Sequence, residues 1–351
     1  MVAMSKIPGV DNLFVGGIWA LSVTPYRKTL TENHITHVLS VIKYSFENWG
    51  EEAKRFKHMS IDIDDDESSD LLGYFPAAVR FIESGLQGEG EEAEGGVYVH
   101  CAVGKSRSVS CVIAYLLYKY PERFGGINTS SATTQQRCET AKKAVQRALD
   151  CVREVRSIAE PNHGFSHQLE LWWEMGCPAS DDGAVERHPT YQKWLYDRML
   201  SDARDMRMAP DAEQIRFEDE IKDGNETIVR GQDVSKQQEG GKEVRCKKCR
   251  RTLATPQFLV PHRATGCGHI FIETLSWMRP ALEDGVLEGR LVCPNSKCGA
   301  IVGRFAWQGF ECTCRQWVVP AFSLNRSRVD EVSAHRGAAA IRMPPGRYGS
   351  L

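Results

Sequence analysis

The hydrophobic and polar residues in the first half of the chain follow two different periods. Residues 36–42 and 97–101 are short, almost continuously apolar runs that predict buried strands, and the alternating run 56–63 predicts a further strand. Apolar residues recur at helical spacing over residues 71–86, and residues 109–118 form a second apolar helix pattern. Because strands alternate with helices, we predict an α/β fold with a central, mostly parallel sheet flanked by helices.

The second half of the chain is patterned differently. Residues 178–241 are polar and acidic, apart from residues 188–196. Aromatic side chains at helical spacing there predict a helix that docks on a domain of the chain or on a partner, and docking within the chain is favoured. Further on, short apolar runs alternate with closely spaced cysteines, which predicts a small β-rich domain. The predicted organisation is an α/β domain at residues 1–177, a polar linker with a helical segment at 178–241, a cysteine-rich domain at 242–331 and a flexible tail at 332–351.

Charge is distributed unevenly between these parts. The chain has 351 residues, 42% of them hydrophobic and 26% charged, so it is long enough for two domains with their own cores. Residues 242–351 contain 17 Lys+Arg and 8 Asp+Glu, a balance of +9, whereas residues 1–241 contain 27 and 38, a balance of −11. No stretch approaches the roughly 20 apolar residues of a membrane span, and the N-terminus lacks the apolar core of a signal peptide. We therefore expect a reducing intracellular compartment and no membrane partner.

The cysteines fall into two classes by position. Twelve cysteines in a chain of this length without an export signal do not predict a disulfide scaffold. Cys111, Cys138, Cys151 and Cys177 are scattered and are interpreted as core or surface residues. Seven others and one histidine crowd the last third, enough for two closed tetrahedral zinc sites with a structural role. These eight candidate ligands are Cys246, Cys249, His262, Cys267, Cys293, Cys298, Cys312 and Cys314.

Two features of this ligand set stay open in the sequence. His269 competes with His262 for the eighth place, and the spacing does not indicate which ligands share an ion. Because both predicted sites are closed, neither has a free position for a substrate, and no metal is expected in catalysis.

The strongest candidate for chemistry is the segment His-Cys-Ala-Val-Gly-Lys-Ser-Arg-Ser at residues 100–108, between a predicted strand and a predicted helix. Five residues separate Cys101 from Arg107, so the loop between them can surround a tetrahedral oxyanion with backbone N–H groups at a helix N-terminus. Such a loop also stabilises the thiolate of Cys101, the nucleophilic form of cysteine. Arg107 can hold two phosphoryl oxygens with its planar guanidinium. The predicted phosphate-binding residues are Ala102, Val103, Gly104, Lys105, Ser106 and Arg107.

Two flanking residues are candidates for supporting roles. Ser108 lies where its hydroxyl can reach the sulfur of Cys101 and help the thiolate leave when water hydrolyses a phosphocysteine intermediate, and it can also cap the helix. His100 precedes the nucleophile, where we expect it to bond to loop carbonyls and hold Cys101 in position.

A proton donor for the leaving group is expected in residues 61–70, Ile-Asp-Ile-Asp-Asp-Asp-Glu-Ser-Ser-Asp, here called the acidic loop. Hydrolysis through a cysteine needs an acid for the leaving oxygen, and a carboxylic acid on a loop near the pocket supplies it. From the residues alone, Asp64, Asp65 and Asp66 are all candidates. The same loop disfavours strongly anionic substrates.

The pattern His-Cys-x5-Arg-Ser at residues 100–108 resembles the protein tyrosine phosphatase signature, and Ala-Val-Gly-Lys-Ser is similar to its dual-specificity branch. Counting back from Tyr74 and Phe75, the resemblance implies that Asp65 is the general acid. The cysteine-rich domain, ending in Trp-Val-Val-Pro-Ala-Phe at residues 317–322, narrows the resemblance to the dual-specificity phosphatase 12 family, including its yeast orthologue, and implies a fungal source. The five-residue step from Cys293 to Cys298 departs from the Cys-x-x-Cys of some members.

This resemblance implies two activities. One is hydrolysis of phosphotyrosine and phosphoserine/threonine in phosphoproteins, and the other is maturation of the large (60S) ribosomal subunit, in cytoplasm and nucleus, with the zinc domain bound to the pre-ribosome. The basic balance of residues 242–351 is independent support for an RNA-rich partner. Two alternatives stay open: an assembly factor whose catalysis is dispensable, and a phosphatase acting on lipids or other non-protein substrates.

Overall fold

The computed structural model describes residues 4–87, 95–125, 134–220, 242–262 and 266–333. These residues form two compact units, the first ending at Trp194 and the second beginning at Leu195. The first has an α/β fold and the second is rich in β-strands, which confirms the predicted fold class. Within the described ranges, no helix combines the length and the apolar character needed to cross a bilayer.

The first unit is built on a five-stranded sheet in the order β1-β2-β5-β3-β4. Only β1 is antiparallel to its neighbour, and the other pairs are parallel. All six residues of β5 are buried because strands lie on both sides of it and helices cover its faces. The strands are β1 Met4–Lys6, β2 Leu13–Gly17, β3 Ile35–Ser40, β4 Lys57–Ser60 and β5 Gly96–Cys101.

The strand predicted over residues 56–63 is shorter in the structure, because β4 ends at Ser60. From residue 61 onward the chain leaves the sheet and forms the acidic loop. Only the first part of the alternating run 56–63 is therefore a strand, and its last residues belong to the acidic loop.

The helices of the first unit cover both faces of the sheet. The central helix is α4, which packs against β5 and against α3, α6 and α7. Residues from Ser108 to Leu117 of α4 are all buried, which is why its sequence is apolar on every side. The helices are α1 Trp19–Ser22, α2 Thr24–Glu32, α3 Phe75–Gln87, α4 Arg107–Lys119, α5 Pro121–Phe124, α6 Thr134–Arg153 and α7 His163–Glu174, with 3-10 helices at Glu47–Arg55 and Leu72–Tyr74. Helix α8, Pro189–Asp205, begins in the first unit and ends in the second, which also contains the 3-10 helix Ala212–Gln214.

The helix predicted at residues 188–196 is the start of α8, which continues to Asp205. Tyr191 on this helix is buried in the first unit, and its hydroxyl donates a 2.5 Å hydrogen bond to Asp70 Oδ2 at the end of the acidic loop. The rest of the predicted linker from residue 221, and the predicted tail from residue 334, lie outside the described residues. The predicted domain boundaries stay a prediction.

The second unit contains a four-stranded antiparallel sheet in the order β8-β13-β10-β9, a three-stranded sheet β14-β6-β7 and a hairpin β11-β12. Its core includes Leu291, Phe305 and Phe322 from the four-stranded sheet. The elements are β6 Lys242–Cys246, β7 Thr252–Ala254, β8 His269–Phe271, α9 Arg279–Leu282, β9 Glu288–Val292, β10 Ile301–Ala306, β11 Phe310–Glu311, β12 Trp317–Val318, β13 Ala321–Asn325 and β14 Val329–Ser333, with 3-10 helices at Pro256–Phe258 and Ser276–Met278.

Candidate active site and metal centres

Cys101 is the last residue of β5, and Arg107 is the first residue of α4. The turn between them, residues 102–106, forms with these two residues the signature loop. The thiol of Cys101 is almost fully buried. Gly104 N–H and the Ser108 hydroxyl both donate to Cys101 Sγ, at 3.2 and 3.3 Å. Two donors directed at one sulfur at a helix N-terminus favour its anionic form.

The loop lies close against the end of β2, and glycine is required there. Gly104 has φ of +77°, and a Cβ at this position would lie 2.3 Å from the carbonyl carbon of Gly16. A Cβ on Gly17 would lie 2.8 Å from Val103 O. Because the backbones approach this closely, a side chain at either position would displace the loop from its place around the sulfur.

Arg107 points toward the acidic loop. Its Nη1 donates a 2.8 Å hydrogen bond to Ile63 O, and its Nε is buried without a hydrogen-bond partner among the described residues. The Nε lies 3.7 Å from Asp65 Oδ2. A half-buried guanidinium whose buried Nε–H is unsatisfied, beside the signature loop, is a suitable donor for an oxyanion.

The structure brings one of the three candidate acids to the signature loop. Ser106 Oγ donates to Asp65 Oδ1 at 2.6 Å, and Asn162 Nδ2 donates to the same oxygen at 3.0 Å. Asp66 instead accepts the backbone N–H of Ser68 at 2.8 Å, within its own turn. Of the three candidate acids, Asp65 is therefore the one that hydrogen-bonds to the signature loop, and its role as the general acid stays a prediction.

The remaining predicted residues take positions around this centre. Lys105 lies at the exposed rim and pairs with Glu160 at 2.7 Å, so its charge is already partly compensated. His100 is fully buried, and its Nδ1 lies 3.3 Å from Cys101 O. Burial lowers the pKa of His100 to about 4, so the ring is neutral at pH 7.

Several supporting residues were not predicted from the sequence. Arg156 is buried and donates from Nε to Gly104 O at 2.5 Å and from Nη2 to Val103 O at 2.7 Å. Gln168 is buried on α7, and its Oε1 accepts the N–H groups of residues 71 and 72 where the acidic loop ends. No periodicity marks these residues, because their partners are 52 and 97 positions away.

Asn162 also serves two purposes. Its Oδ1 caps α7 by accepting the Phe165 N–H at 2.8 Å, while its Nδ2 holds Asp65. Asparagine is a favoured residue directly before a helix, whereas the second bond depends on the tertiary structure.

The eight predicted metal ligands form two groups. In each group the ligand atoms lie within 4.8 Å of one another. His262, not His269, belongs to a group, which answers one question that the sequence left open. The first metal group is Cys246, Cys249, Cys293 and Cys298, and the second metal group is His262, Cys267, Cys312 and Cys314.

The donor chemistry of both groups fits a metal ion such as zinc. Four thiols, or three thiols and an imidazole, are the ligands of closed tetrahedral zinc sites. In the first metal group, a hydrogen bond from the backbone of Arg251 lowers the pKa of Cys249 to about 6, while burial raises the pKa of Cys293 to about 12. Ionisation of one sulfur thus disfavours ionisation of its neighbour, and a cation bound between them would offset that repulsion.

The local backbone explains how short segments present two ligands at once. Arg250, Gly299 and Arg315 each follow the second cysteine of a pair directly, and each has a positive φ, of 66°, 58° and 63°. A left-handed residue at this position turns the chain directly after the second cysteine of each pair. The pair Cys293 and Cys298 has this turn in spite of its wider spacing.

A family model for the dual specificity phosphatase catalytic domain matches residues 21–124. The tyrosine-protein phosphatase YVH1 of Saccharomyces cerevisiae is 30% identical over 90% of this chain and 90% of its own length. The tyrosine-protein phosphatase yvh1 of Schizosaccharomyces pombe is 34% identical over 79% of this chain and 71% of its own length. Dual specificity protein phosphatase 12 of Homo sapiens is 27% identical over 92% of this chain and 87% of its own length.

A solved structure is also similar to the first half of the chain. The crystal structure of the Yvh1 phosphatase domain from Chaetomium thermophilum is 49% identical, covers 51% of this chain and 100% of that chain, and has a TM-score of 0.45. From its catalytic-domain match and its full-length relatives, the chain belongs to the YVH1 and dual specificity protein phosphatase 12 family, and it is a tyrosine and dual-specificity protein phosphatase.

Proposed function

We propose that this chain hydrolyses phosphotyrosine and phosphoserine/threonine in proteins through a phosphocysteine intermediate on Cys101. The observation that carries the proposal is the convergence of the Gly104 N–H and the Ser108 hydroxyl on Cys101 Sγ, with Asp65 held over the same loop. This arrangement combines a nucleophile, an oxyanion-binding loop and an acid, and it needs no cofactor.

In the first step, the Cys101 thiolate attacks phosphorus and forms the S–P bond as the bond from phosphorus to the leaving oxygen breaks. The backbone N–H groups of the signature loop and the guanidinium of Arg107 hold the three equatorial oxygens. Protonated Asp65 gives its proton to the leaving alkoxide or phenolate, so the alcohol departs neutral.

In the second step, water attacks phosphorus and the S–P bond breaks. The carboxylate of Asp65, left deprotonated, takes a proton from the water, and inorganic phosphate is released. The Ser108 hydroxyl donates to the sulfur and stabilises the thiolate as it leaves. His100 holds the Cys101 carbonyl and does not exchange protons with substrate.

The charge around the pocket favours phosphoproteins over polyanionic lipids. Lys105 is the single basic side chain of residues 102–106, and Glu160 compensates it. The acidic loop adds further negative charge next to the site. A phosphoinositide carries several phosphates that this environment would repel.

We further propose that the two metal groups each hold one structural zinc ion. When bound, zinc would fix the thiolate and imidazole ligands in closed sites and stabilise the fold of the second unit. The domain boundaries at residues 177, 241 and 331 are part of the same proposal.

For the cellular role, we propose that the zinc-binding domain directs the chain to the pre-60S ribosomal particle, in nucleus and cytoplasm. The net basic charge of residues 242–351, about +6 once two zinc ions and seven thiolates are counted, supports an rRNA-rich partner. Near the first metal group, Arg250 forms an ion pair with Asp330, and Lys248 Nζ donates a hydrogen bond to Cys298 O. Exposed Lys247 and Arg251 have no such partner among the described residues, so they are the better candidates for phosphate contacts.

Two measurements test this function. Cys101→Ser should abolish phosphate release from phosphotyrosine and phosphothreonine peptides while leaving the melting temperature unchanged. Wild-type protein should act on these peptides far faster than on phosphoinositides. Persistent hydrolysis by Cys101→Ser would refute the nucleophile assignment, and a preference for phosphoinositides would favour the lipid alternative.

The ribosomal proposal is tested by co-sedimentation with pre-60S particles. We expect wild type and Cys101→Ser to co-sediment equally and Lys247→Glu/Arg251→Glu to be released at lower salt. No co-sedimentation of the wild type would remove the proposal. A catalytically dead chain that still restores ribosome assembly in cells would favour the assembly factor with dispensable catalysis.

A further inference from the structure

Three side chains on adjacent strands form a hydrogen-bonded chain behind the nucleophile. His100 Nε2 lies 2.6 Å from Ser40 Oγ, and Ser40 Oγ lies 2.9 Å from His58 Nε2. Ser40 on β3 is directly opposite His100 on β5, and His58 is on β4. Ser40 and His100 are fully buried and His58 is half-buried, so the chain extends from the signature loop toward the edge of the sheet.

The proton positions along these hydrogen bonds follow from the contact of His100 with the carbonyl of Cys101. A carbonyl oxygen only accepts hydrogen bonds, so the Nδ1 of His100, 3.3 Å from Cys101 O, carries the hydrogen. Since the buried ring is neutral, its Nε2 is then a lone pair. The single hydroxyl hydrogen of Ser40 must point to His100 Nε2, and Ser40 Oγ accepts the Nε2–H of His58.

Among the described residues around these three side chains, no other group competes for the imidazole nitrogens. Tyr98 stacks on His100 with ring centroids 5.5 Å apart, and Tyr44 packs edge-on against both imidazoles. The hydroxyl of Tyr98 donates to Gly17 O, and that of Tyr44 accepts from a tryptophan N–H. The titratable groups that face this hydrogen-bonded chain among the described residues are therefore Tyr44, Tyr98 and the Cys101 thiol, and the charge of Arg156 acts on Tyr98.

We propose that Ser40 and His58 are positioning residues for phosphoryl transfer, which fix His100 in the Nδ1–H tautomer. That tautomer donates to the Cys101 carbonyl and keeps the peptide of Cys101 oriented so that the signature-loop donors point at Sγ. In the other tautomer, the lone pair of Nδ1 would face the carbonyl oxygen and repel it. This inference rests on the proposed role of Cys101 and adds two residues that do not touch substrate.

The test compares Ser40→Ala with wild type in the full, zinc-loaded chain. Nitrogen-15 NMR of the histidine rings should show the Nδ1–H form of His100 in wild type and loss of that preference in the variant. The pH midpoint for alkylation of Cys101 by iodoacetamide, followed on its own peptide by mass spectrometry, should move up by about one unit. The kcat/KM for a phosphotyrosine peptide at pH 6 should fall about tenfold with KM nearly unchanged.

Conservative variants separate positioning from a general loss of structure. Ser40→Thr keeps the hydroxyl and should restore all three readouts. His58→Gln keeps an N–H donor and should resemble wild type, whereas His58→Phe should shift the alkylation midpoint in the same direction as Ser40→Ala. If Ser40→Ala does not fold, Ser40→Cys, whose thiol is a weaker donor than the hydroxyl, should shift the tautomer and the alkylation midpoint in the same direction by a smaller amount.

The outcomes separate this proposal from the proposed function. A folded Ser40→Ala variant with unchanged tautomer and unchanged alkylation midpoint would overturn the positioning role. If both change as expected while wild type releases no phosphate, the chain of hydrogen bonds stands and the proposed activity fails.

Discussion

Ser106 Oγ donates a 2.6 Å hydrogen bond to Asp65 Oδ1, which ties the acidic loop to the signature loop across 41 positions of sequence. Asn162 donates to the same oxygen at 3.0 Å. Because Oδ1 accepts both bonds, Oδ2 is the oxygen left to carry a proton, and it faces the Nε of Arg107 at 3.7 Å. The carboxyl group is thus oriented with one oxygen anchored and the other directed toward the phosphate site.

The first prediction concerns this acid. Asp65→Asn should lower kcat about 100-fold for an alkyl phosphate, whose leaving group needs a proton, and only slightly for an aryl phosphate with an acidic phenol. Rates for a series of leaving groups measure this dependence. The matched controls Asp64→Asn and Asp66→Asn should stay within about twofold of wild type. Equal losses for all three variants would contradict the assignment.

A second prediction concerns Arg156, which satisfies the carbonyls of Val103 and Gly104 from behind the loop. Arg156→Met should leave one buried and one partly buried carbonyl without these bonds and destabilise the first unit by about 2–4 kcal/mol. Arg156→Lys keeps the charge but cannot reach both oxygens with the same geometry, so kcat/KM should still fall about tenfold. Thermal melts and steady-state kinetics measure the two effects, and Arg153→Lys is the neighbouring control.

The third prediction concerns the metal groups. Cys249→Ser should remove about one of two zinc equivalents, and His262→Ala should remove the other, since the two residues lie in different groups. His269→Ala and Cys138→Ser should retain both. Elemental analysis of the purified chains gives the counts. A single variant that loses all the zinc, or a folded chain that carries none, would contradict the two-site assignment.

A fourth prediction follows from the buried His100. Burial lowers its pKa from 6.5 to about 4, so between these pH values the unfolded chain binds a proton that the folded chain does not. The contribution of the neutral His100 ring to the free energy of unfolding is therefore fully present above pH 6.5. This free energy falls by about 3 kcal/mol as the pH is lowered to 4. The unfolding free energy of wild type should fall more steeply over this window than that of His100→Asn. Parallel curves for the two proteins would show that the ring does not titrate in this way. Any effect of pH on the zinc-binding part is common to both proteins and cancels in the comparison.

The sequence specified much of this site in local terms. Cys101, Arg107 and the residues between them are contiguous, so strand, turn and helix already place their N–H groups around one point. Six of the candidate metal ligands follow a similar logic, since three pairs of cysteines across short turns each present two sulfurs together. Where a function is built within a few residues, its spacing is visible in the chain.

Relationships between distant segments were set by the tertiary structure alone. Asp65 differs from its two neighbours only in what it faces, and Arg156 becomes part of the site only when α6 ends behind the loop. The division of eight ligands into two interleaved groups likewise depends on which turns the sheets bring together. The contiguous residues of the signature loop therefore predicted the chemistry by themselves. Packing decided which carboxylate and which supporting side chains contact that loop, because those contacts join positions that no local pattern connects.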